Sequence, residues 1–189
     1  MRLLTRNERG FTLIELLVTV GIASILMATA AVSVNRYLPV YRLREATRDL
    51  ASTMQQTRYE AIRRSSRCVV AFNVDINGTV FDYAAYVDNG PQNFQYDAGE
   101  VVLATQNFTT YGSGISFDLV NVAGEADGVD FEDNSLGFNS RGIAEWNAPP
   151  IPPIPPPPPP TNTVYLTNNQ DRARGVTANV AGNVRVRSF

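Results

Sequence analysis

The chain has 189 residues, a formal net charge of −2 at pH 7 and a sequence pI near 5.2. It contains no histidine and a single cysteine, Cys68, which excludes histidine-based catalysis, histidine metal sites and an intramolecular disulfide. No glycine-rich phosphate loop is present either, so we expect neither an enzymatic activity nor a cofactor.

The first feature along the chain is an apolar segment long enough to cross a membrane. Residues 11–35 carry one charged side chain, Glu15, and about 20 apolar residues suffice to span the hydrocarbon core of a bilayer. Residues 1–10 hold three arginines and one glutamate. This positive bias predicts that the N-terminus stays in the cytoplasm and that the remainder of the chain faces outward.

Two modes of processing are compatible with this start. A general secretory signal would end at the small residues Ala28-Thr29-Ala30, which would release a periplasmic binding protein that begins at Ala31. A cut between Gly10 and Phe11 would instead leave the apolar helix on the mature protein. We favour the second mode, because the apolar run is long for a signal core and an ordinary signal has no use for the acid at position 15.

The N-terminus of type IV pilins and of type II secretion pseudopilins, with its prepilin leader, resembles Gly10-Phe11-Thr12-Leu13-Ile14-Glu15-Leu16-Leu17. The resemblance implies a prepilin peptidase that cuts after Gly10 and methylates the new amine of Phe11. A charged side chain within a bilayer costs roughly 3 kcal/mol, so Glu15 requires a partner. That partner is either its own Phe11 amine, four residues earlier on a helix, or the amine of an assembled neighbouring subunit, as the resemblance implies.

The helix is predicted to continue beyond the apolar segment as an amphipathic stem, residues 36–65. One helix from Phe11 to about Arg64 is expected, with Pro39 inside it removing a backbone donor and bending it. The apolar side chains that recur at roughly helical spacing are Tyr37, Tyr41, Leu43, Ala46, Leu50, Met54, Ala61 and Ile62. The arginines expected on the other faces are Arg42, Arg44, Arg48 and Arg58.

Residues 66–189 have the short β-branched runs and turn residues of a compact antiparallel domain. The strands predicted are Cys68–Asn73, Thr79–Val87, Val101–Phe108, Ile115–Leu119, Ser135–Phe138, Gly142–Trp146, Thr163–Thr167, Gly175–Val180 and Asn183–Arg187. We expect two packed sheets, with the stem helix against one of them through Ala46, Leu50 and Met54. The fold class is therefore α+β, a long N-terminal transmembrane and stem helix followed by a β-sandwich-like domain, as in pilins.

Three further segments narrow the resemblance to the GspH/FimT group of minor pseudopilins and minor pilins. They are residues 85–90 leading into 99–103, residues 136–142 with the sequence Leu-Gly-Phe-Asn-Ser-Arg-Gly, and the closing residues 182–187. The resemblance implies a minor subunit that helps to prime a type II secretion pseudopilus or a type IV pilus. Its implied partners are other minor and major pilins or pseudopilins, the inner-membrane assembly platform and membrane lipid. Its implied location is the bacterial inner membrane, crossed once, with the C-terminal domain in the periplasm.

Some members of this group resemble DNA-uptake receptors that bind through arginines near the C-terminus. Arg185 and Arg187 are predicted to share one face of the last strand, with Arg172 and Arg174 in the loop before, and clustered arginines can neutralise phosphates. The charge balance opposes DNA binding, because residues 66–189 hold thirteen acids and six arginines. We keep the DNA receptor as an alternative to the assembly subunit.

Two other features have no assigned ligand. Oxygen ligands for calcium cluster in one loop at Asp88, Asn89, Asp97 and Glu100 and in another at Asp127, Asp130, Glu132 and Asp133. Neither loop has an established calcium spacing, so we predict ordinary solvated loops and no metal.

A proline-rich stretch, residues 149–160, holds ten of the twelve prolines. It is predicted to be an exposed insertion within the β domain, either without a ligand or docked on an aromatic groove of a partner.

Overall fold

The structure, a computed structural model, describes residues 10–118, 128–146 and 162–188, apart from the side chains at 31–33 and 132. The leader residues 1–9, part of the second acidic loop and the proline-rich stretch 149–160 lie outside the described residues. The chain divides into two compact units, Met1–Leu38 and Pro39–Phe189. Helix α1, Leu13–Arg64, contributes to both units and contains Pro39.

From Leu13 onward, the first unit is an exposed apolar stretch of helix. An 18-residue window of α1 has a mean hydropathy of 2.2, none of it buried, which by length and composition is enough to cross a membrane. Its polar side chains bond back to the helix, since Thr19 Oγ1 donates to the carbonyl of Leu16 at 2.9 Å and Ser24 Oγ to that of Val20 at 2.8 Å. Such bonds satisfy hydroxyl groups that would otherwise face hydrocarbon without a partner.

The second unit contains nine strands in two antiparallel sheets among its described residues. The strands are β1 Cys68–Ile76, β2 Thr79–Val87, β3 Val101–Gln106, β4 Ser116–Phe117, β5 Ser135–Phe138, β6 Ala144–Glu145, β7 Thr163–Thr167, β8 Ala173–Ala178 and β9 Val184–Ser188. The first sheet has the order β3-β2-β1-β5-β6 and the second has the order β4-β7-β8-β9. The α+β class and the two sheets predicted from the sequence are confirmed.

Each predicted strand has an observed counterpart, but several bounds were wrong. The strand β1 extends to Ile76, β4 and β6 are only two residues each, β8 begins at Ala173 and β9 runs one residue beyond the predicted end. The strand β3 ends early because side chains replace its ladder: Asn107 Oδ1 accepts the Asp82 N–H, and Asp82 Oδ2 accepts the Phe108 N–H. These two bonds turn the chain into a short 3-10 helix, Phe108–Tyr111.

The core joins the stem part of α1 to both sheets, not to one sheet as predicted. The buried cluster contains Leu43, Ala46, Leu50 and Met54 from the helix, Val70, Phe72 and Leu136 from the first sheet, and Val164, Leu166 and Val176 from the second. The Phe72 ring shows the connection, since it packs edge-on against Phe117 with a centroid separation of 6.2 Å. Cys68 belongs to this cluster, which confirms it as a small core residue, and burial raises the pKa of its thiol to about 11.

Candidate assembly site

The peptide bond between Gly10 and Phe11 lies in an exposed, non-helical segment ahead of α1. The Phe11 side chain is 82% exposed, and a Cβ placed on Gly10 would meet no atom within 4 Å. A peptidase requires an accessible chain, and both residues are exposed. Processing at this bond remains a prediction.

The helix begins at Leu13, two residues later than predicted, because Thr12 caps it. Thr12 Oγ1 accepts the Glu15 N–H at 3.2 Å, and the Thr12 carbonyl accepts the Leu16 N–H at 3.2 Å. This is the N-cap arrangement in which a threonine satisfies an unpaired donor of the first turn. The sequence signal was present but missed, since Thr followed three residues later by Glu is the capping-box pattern.

The cap changes the predicted relation between Glu15 and the Phe11 amine. Phe11 precedes the helix, so the two groups are not a helical i,i+4 pair in this chain. Glu15 instead occupies the first turn, where the partial positive charge of the helix N-terminus favours a carboxylate. The role of Glu15 in assembly remains a prediction. Because its own Phe11 amine is not a helical neighbour, we expect the charged partner of Glu15 on another subunit.

Arg58, which the sequence predicts on a face of the stem other than the apolar one, makes contacts that the sequence did not indicate. Its Nε donates to the Gly142 carbonyl at 2.9 Å and its NH2 to the Ala181 carbonyl at 3.0 Å. Its NH1 lies 3.5 Å from Asn183 Oδ1. One guanidinium thus ties the helix to two turns that are far away in the sequence.

Those two turns contain the segments that carried the resemblance to the GspH/FimT group. Gly142 has φ +73 and Gly182 has φ +76, both in the left-handed region that favours glycine. A Cβ on Gly182 would overlap the Gly142 carbonyl and lie 2.8 Å from Arg58 Nε. Gly142 and Gly182 therefore allow the two turns to pack closely around Arg58.

In the loop between β2 and β3, one of the acids that could bind calcium forms hydrogen bonds within the loop instead. Glu100 Oε1 accepts the N–H groups of Asn89 at 3.0 Å and Gly90 at 3.2 Å, and Glu100 Oε2 accepts that of Asp97 at 3.1 Å. Among the described residues, no three His, Cys, Asp or Glu side chains are arranged to hold a metal ion. The second acidic loop lies partly outside the described residues.

A buried acid fixes the start of this loop. Asp88 is fully buried, and its Oδ2 accepts the Phe94 N–H at 3.4 Å and lies 3.7 Å from Arg67 NH1. Its Oδ1 has no hydrogen-bond partner among the described residues. Burial is the main cause that raises the pKa of Asp88, against the lowering effects of Phe94 and Arg67. Arg67 also pairs with Glu145 at 3.1 Å and stacks on the Phe94 ring, so it connects the loop to β6.

The four C-terminal arginines do not share one surface. Arg174 lies within β8 and not in the preceding loop, and it pairs with Leu166 and Ser188. Arg187 pairs with Gly175, one residue along β8. Because side chains alternate along a strand, Arg185 and Arg187 point to one side of the sheet and Arg174 to the other. Arg172, in the loop before β8, is exposed.

The comparisons with known proteins agree with this architecture. Residues 5–31 match the prokaryotic N-terminal methylation motif, and residues 46–182 match the family described as type II transport protein GspH. The chain is also similar to the pilin-like protein PilA1 of Thermus thermophilus, with 38% identity over 101 residues. That match covers 52% of this chain and 60% of the relative. No solved structure matches.

The exposed apolar helix, the methylation motif and the two sheets define a pilin-like protein with an N-terminal segment suited to a membrane anchor. More narrowly, the chain belongs to the GspH family of minor pseudopilins and pilins, because the family match covers most of its length. The resemblance found in the sequence is thus confirmed. The family is one of structural subunits.

Proposed function

We propose that this chain is a minor subunit that is cut between Gly10 and Phe11, methylated on Phe11 and assembled into a type II secretion pseudopilus or a type IV pilus. The observation that carries the proposal is the order of an exposed processing site, a capped helix start and a fully exposed apolar helix. Before assembly, the helix anchors the chain in the inner membrane, with the domain of nine strands in the periplasm. Its partners are the prepilin peptidase, other pilins or pseudopilins and the assembly platform.

Glu15 supplies the contact that sets the register of assembly in this proposal. Its carboxylate lies in the first turn of α1, surrounded by exposed apolar side chains such as Ile14 and Leu16. An unpaired charge there is costly in lipid. The methylated amine of Phe11 on a neighbouring subunit is a compact cation that compensates it.

Whether this chain serves a secretion pseudopilus or a type IV pilus depends on the proteins with which it assembles. The family description supports a secretion role, and the name of the Thermus thermophilus relative supports a pilus role for that protein. Purification of the full chain from membrane extracts separates the two. Recovery with a secretin, a secretion ATPase and exoproteins supports the pseudopilus, and recovery with a retraction ATPase supports the pilus.

DNA uptake is the less favoured function. Arg174 faces away from Arg185 and Arg187, so the predicted patch is divided between two sides of the second sheet. The test is salt-dependent binding of duplex DNA by the full chain and by the variant Arg185→Ala with Arg187→Ala. A salt-sensitive affinity that the double variant loses would support a DNA receptor.

The assembly proposal is tested by replacing Glu15. We expect Glu15→Ala to remain in the membrane, to be cut after Gly10 and to be absent from sheared filaments, because its neighbour's amine then has no counter-charge. Ser24→Ala, a polar change in the same helix, is the matched control and should incorporate normally. Normal incorporation of Glu15→Ala would contradict the proposal.

A further inference from the structure

The edge of the first sheet at β3 differs from the other sheet edges among the described residues. The sheet orders leave four edge strands, β3, β6, β4 and β9. Strands β4 and β6 have two residues each, and β9 carries Arg185 and Arg187. Strand β3, Val101–Gln106, has six residues, none of them charged and none proline. Natural proteins protect sheet edges with charges, prolines or short strands, and an uncharged edge of several residues invites pairing with another chain.

A groove follows this edge, between β3 and the stem part of α1, and we call it the helix–strand groove. It consists of two adjoining cavities of about 300 and 270 Å³, which share Thr53, Gln56 and Ala104. Its helix wall runs from Asp49 to Arg64, which corresponds to about 22 Å at about 1.5 Å per residue. A β-strand rises about 3.3 Å per residue, so about six or seven extended residues fit this length.

An irregularity in β3 shapes the floor of the helix–strand groove. The register of β3 against β2 shifts between Ala85 and Tyr86, so Leu103 is an extra residue in β3, a β-bulge. Leu103 and Ala104 therefore both line the groove, although consecutive side chains of a regular strand point to opposite sides. Residues 104–106 keep regular partners on β2. The groove thus has an apolar floor at the bulge and a regular strand edge beside the second cavity.

One carboxylate in the groove forms no ion pair with a described residue. Among the described residues that line the second cavity, Asp49 is the only charged one. The hydroxyl of Tyr111 donates to Asp49 Oδ2 at 2.9 Å and accepts from Gln106 Nε2 at 2.9 Å, which holds the carboxylate at this end. At the other end Glu60 and Arg64 neutralise one another, with 2.8 Å between Glu60 Oε2 and Arg64 Nε. The groove therefore favours a segment with a basic residue beside Asp49 and no other charge.

We propose that the helix–strand groove binds an extended segment of a different pilin-like subunit, which adds a strand to the first sheet at β3. The backbone of β3 supplies the hydrogen bonds, and the groove selects an apolar side chain at Leu103 and a lysine or arginine at Asp49. A second copy of this chain is not the expected occupant. In its described strands, basic residues occur only in β8 and β9, which are paired with one another. The inference rests on the proposed assembly function and adds a contact in the periplasmic domain.

The test uses the full chain in its membrane with a photo-crosslinking amino acid in place of Gln56, which is exposed and lines both cavities. Mass spectrometry identifies the crosslinked peptide and its protein. We expect a different protein with an N-terminal methylation motif, captured beyond its N-terminal helix in a segment of about six residues that holds one lysine or arginine. Crosslinks only to lipid, to the same chain, to a second copy or to another subunit's N-terminal helix would overturn the proposal, as would the absence of crosslinks.

Charge reversal tests the role of Asp49. Asp49→Lys should lower the crosslink yield about tenfold, and replacement of the basic residue of the captured segment by glutamate should restore the yield. Asp75→Lys, at an exposed acid that does not line the groove, is the matched control and should leave the yield unchanged. Equal losses in the two variants, or no recovery in the charge swap, would overturn the proposal.

Hydrogen exchange separates strand addition from a contact through side chains alone. A synthetic peptide of the captured segment, added to the full chain in detergent, should slow the exchange of the amides at residues 101–106. The amides of β9, at the edge of the second sheet, are the control and should not change. A peptide that binds without protecting residues 101–106 would contradict the addition of a strand.

The mature N-terminus and the incorporation into sheared filaments are measured on the crosslinked samples. A chain that begins at Phe11 and enters filaments without this crosslink would contradict the groove contact alone. A chain that begins at Ala31 would contradict the proposed function itself.

Discussion

Arg58 shows how one side chain can give a structural role to sequence motifs that are far away along the chain. Its guanidinium forms no ion pair with a described residue and instead donates to the carbonyls of Gly142 and Ala181. Hydrogen bonds from a charged donor contribute more to stability than neutral ones do, because the charge strengthens the bond. Removal of the donor also leaves the acceptors without a partner. Two of the segments that carry the resemblance to the family thus contain or adjoin the carbonyl groups to which Arg58 donates.

We expect Arg58→Ala to lower the free energy of unfolding by roughly 1.5 to 3 kcal/mol, the range for bonds from a charged group. The measurement is chemical denaturation of the full chain in detergent, followed by the fluorescence of Trp146, the single tryptophan. Arg141→Ala, at an exposed arginine, is the control and should change stability by less than about 0.5 kcal/mol. Equal effects of the two substitutions would show that the contacts of Arg58 do not stabilise the fold.

Asp88 gives a prediction of pH dependence. Burial raises the pKa of this carboxyl in the folded state, so the folded protein binds its proton more tightly than the unfolded chain does. Its contribution to the free energy of unfolding is then greatest below the unfolded pKa, about 3.9, and declines as pH rises through the folded pKa.

The stability of the native chain minus that of Asp88→Asn should therefore fall as pH rises from about 4, and level off above the folded pKa. Denaturation curves of both proteins across this range measure the difference, in which the other carboxyls largely cancel. A difference that grows with pH would mean that Arg67 outweighs burial.

At the scale of elements, glycines are required for two different reasons. Some positions need only a left-handed backbone conformation, and others also lack the space for a side chain. Gly78 has φ +85 and open space around it, whereas Gly182 has φ +76 and is crowded by Gly142 and Arg58. We expect Gly78→Ala to cost about 1 kcal/mol from the backbone alone. Gly182→Ala should cost about 1 to 3 kcal/mol more, since the added methyl must displace packed groups. Thermal unfolding of the two variants tests this comparison, and similar losses would contradict the crowded geometry.

The sequence predicted the elements well because their signals are local. Strands β2, β5 and β7 have the predicted bounds, since alternating apolar side chains and flanking turn residues define them. The end of β3 was not predictable in this way, because it depends on bonds between Asp82 and residues 25 and 26 positions away. A tertiary contact of this kind leaves no periodic signal.

The sequence likewise indicated the parts of the candidate site that depend on local signals, but not those that depend on tertiary contacts. Gly10, Phe11 and Glu15 were found from a short motif, and their roles remain predictions. The partners of Arg58 were missed because they lie 84 and 123 residues away along the chain. The grouping of Arg174 with Arg185 and Arg187 failed because β8 begins two residues earlier than predicted, which places Arg174 on a defined side of the sheet.

At the scale of the whole molecule, the chain combines an apolar exposed helix with a β domain of uneven charge. The first feature suits a lipid or a bundle of apolar helices. The second is visible in the sequence, where residues 68–140 contain eleven acidic residues and no basic one. The first feature has a function only if the mature protein keeps its N-terminal helix.

The mature N-terminus is therefore the most direct test of the assembly proposal. Intact mass and peptide sequencing of the chain purified from membranes should give a polypeptide that begins at Phe11 and carries one methyl group on its amine. Gly10→Ala should block the cut, and Gly78→Ala should not. A mature chain that begins at Ala31 would contradict the proposal, because both the apolar helix and Glu15 would then be lost before assembly.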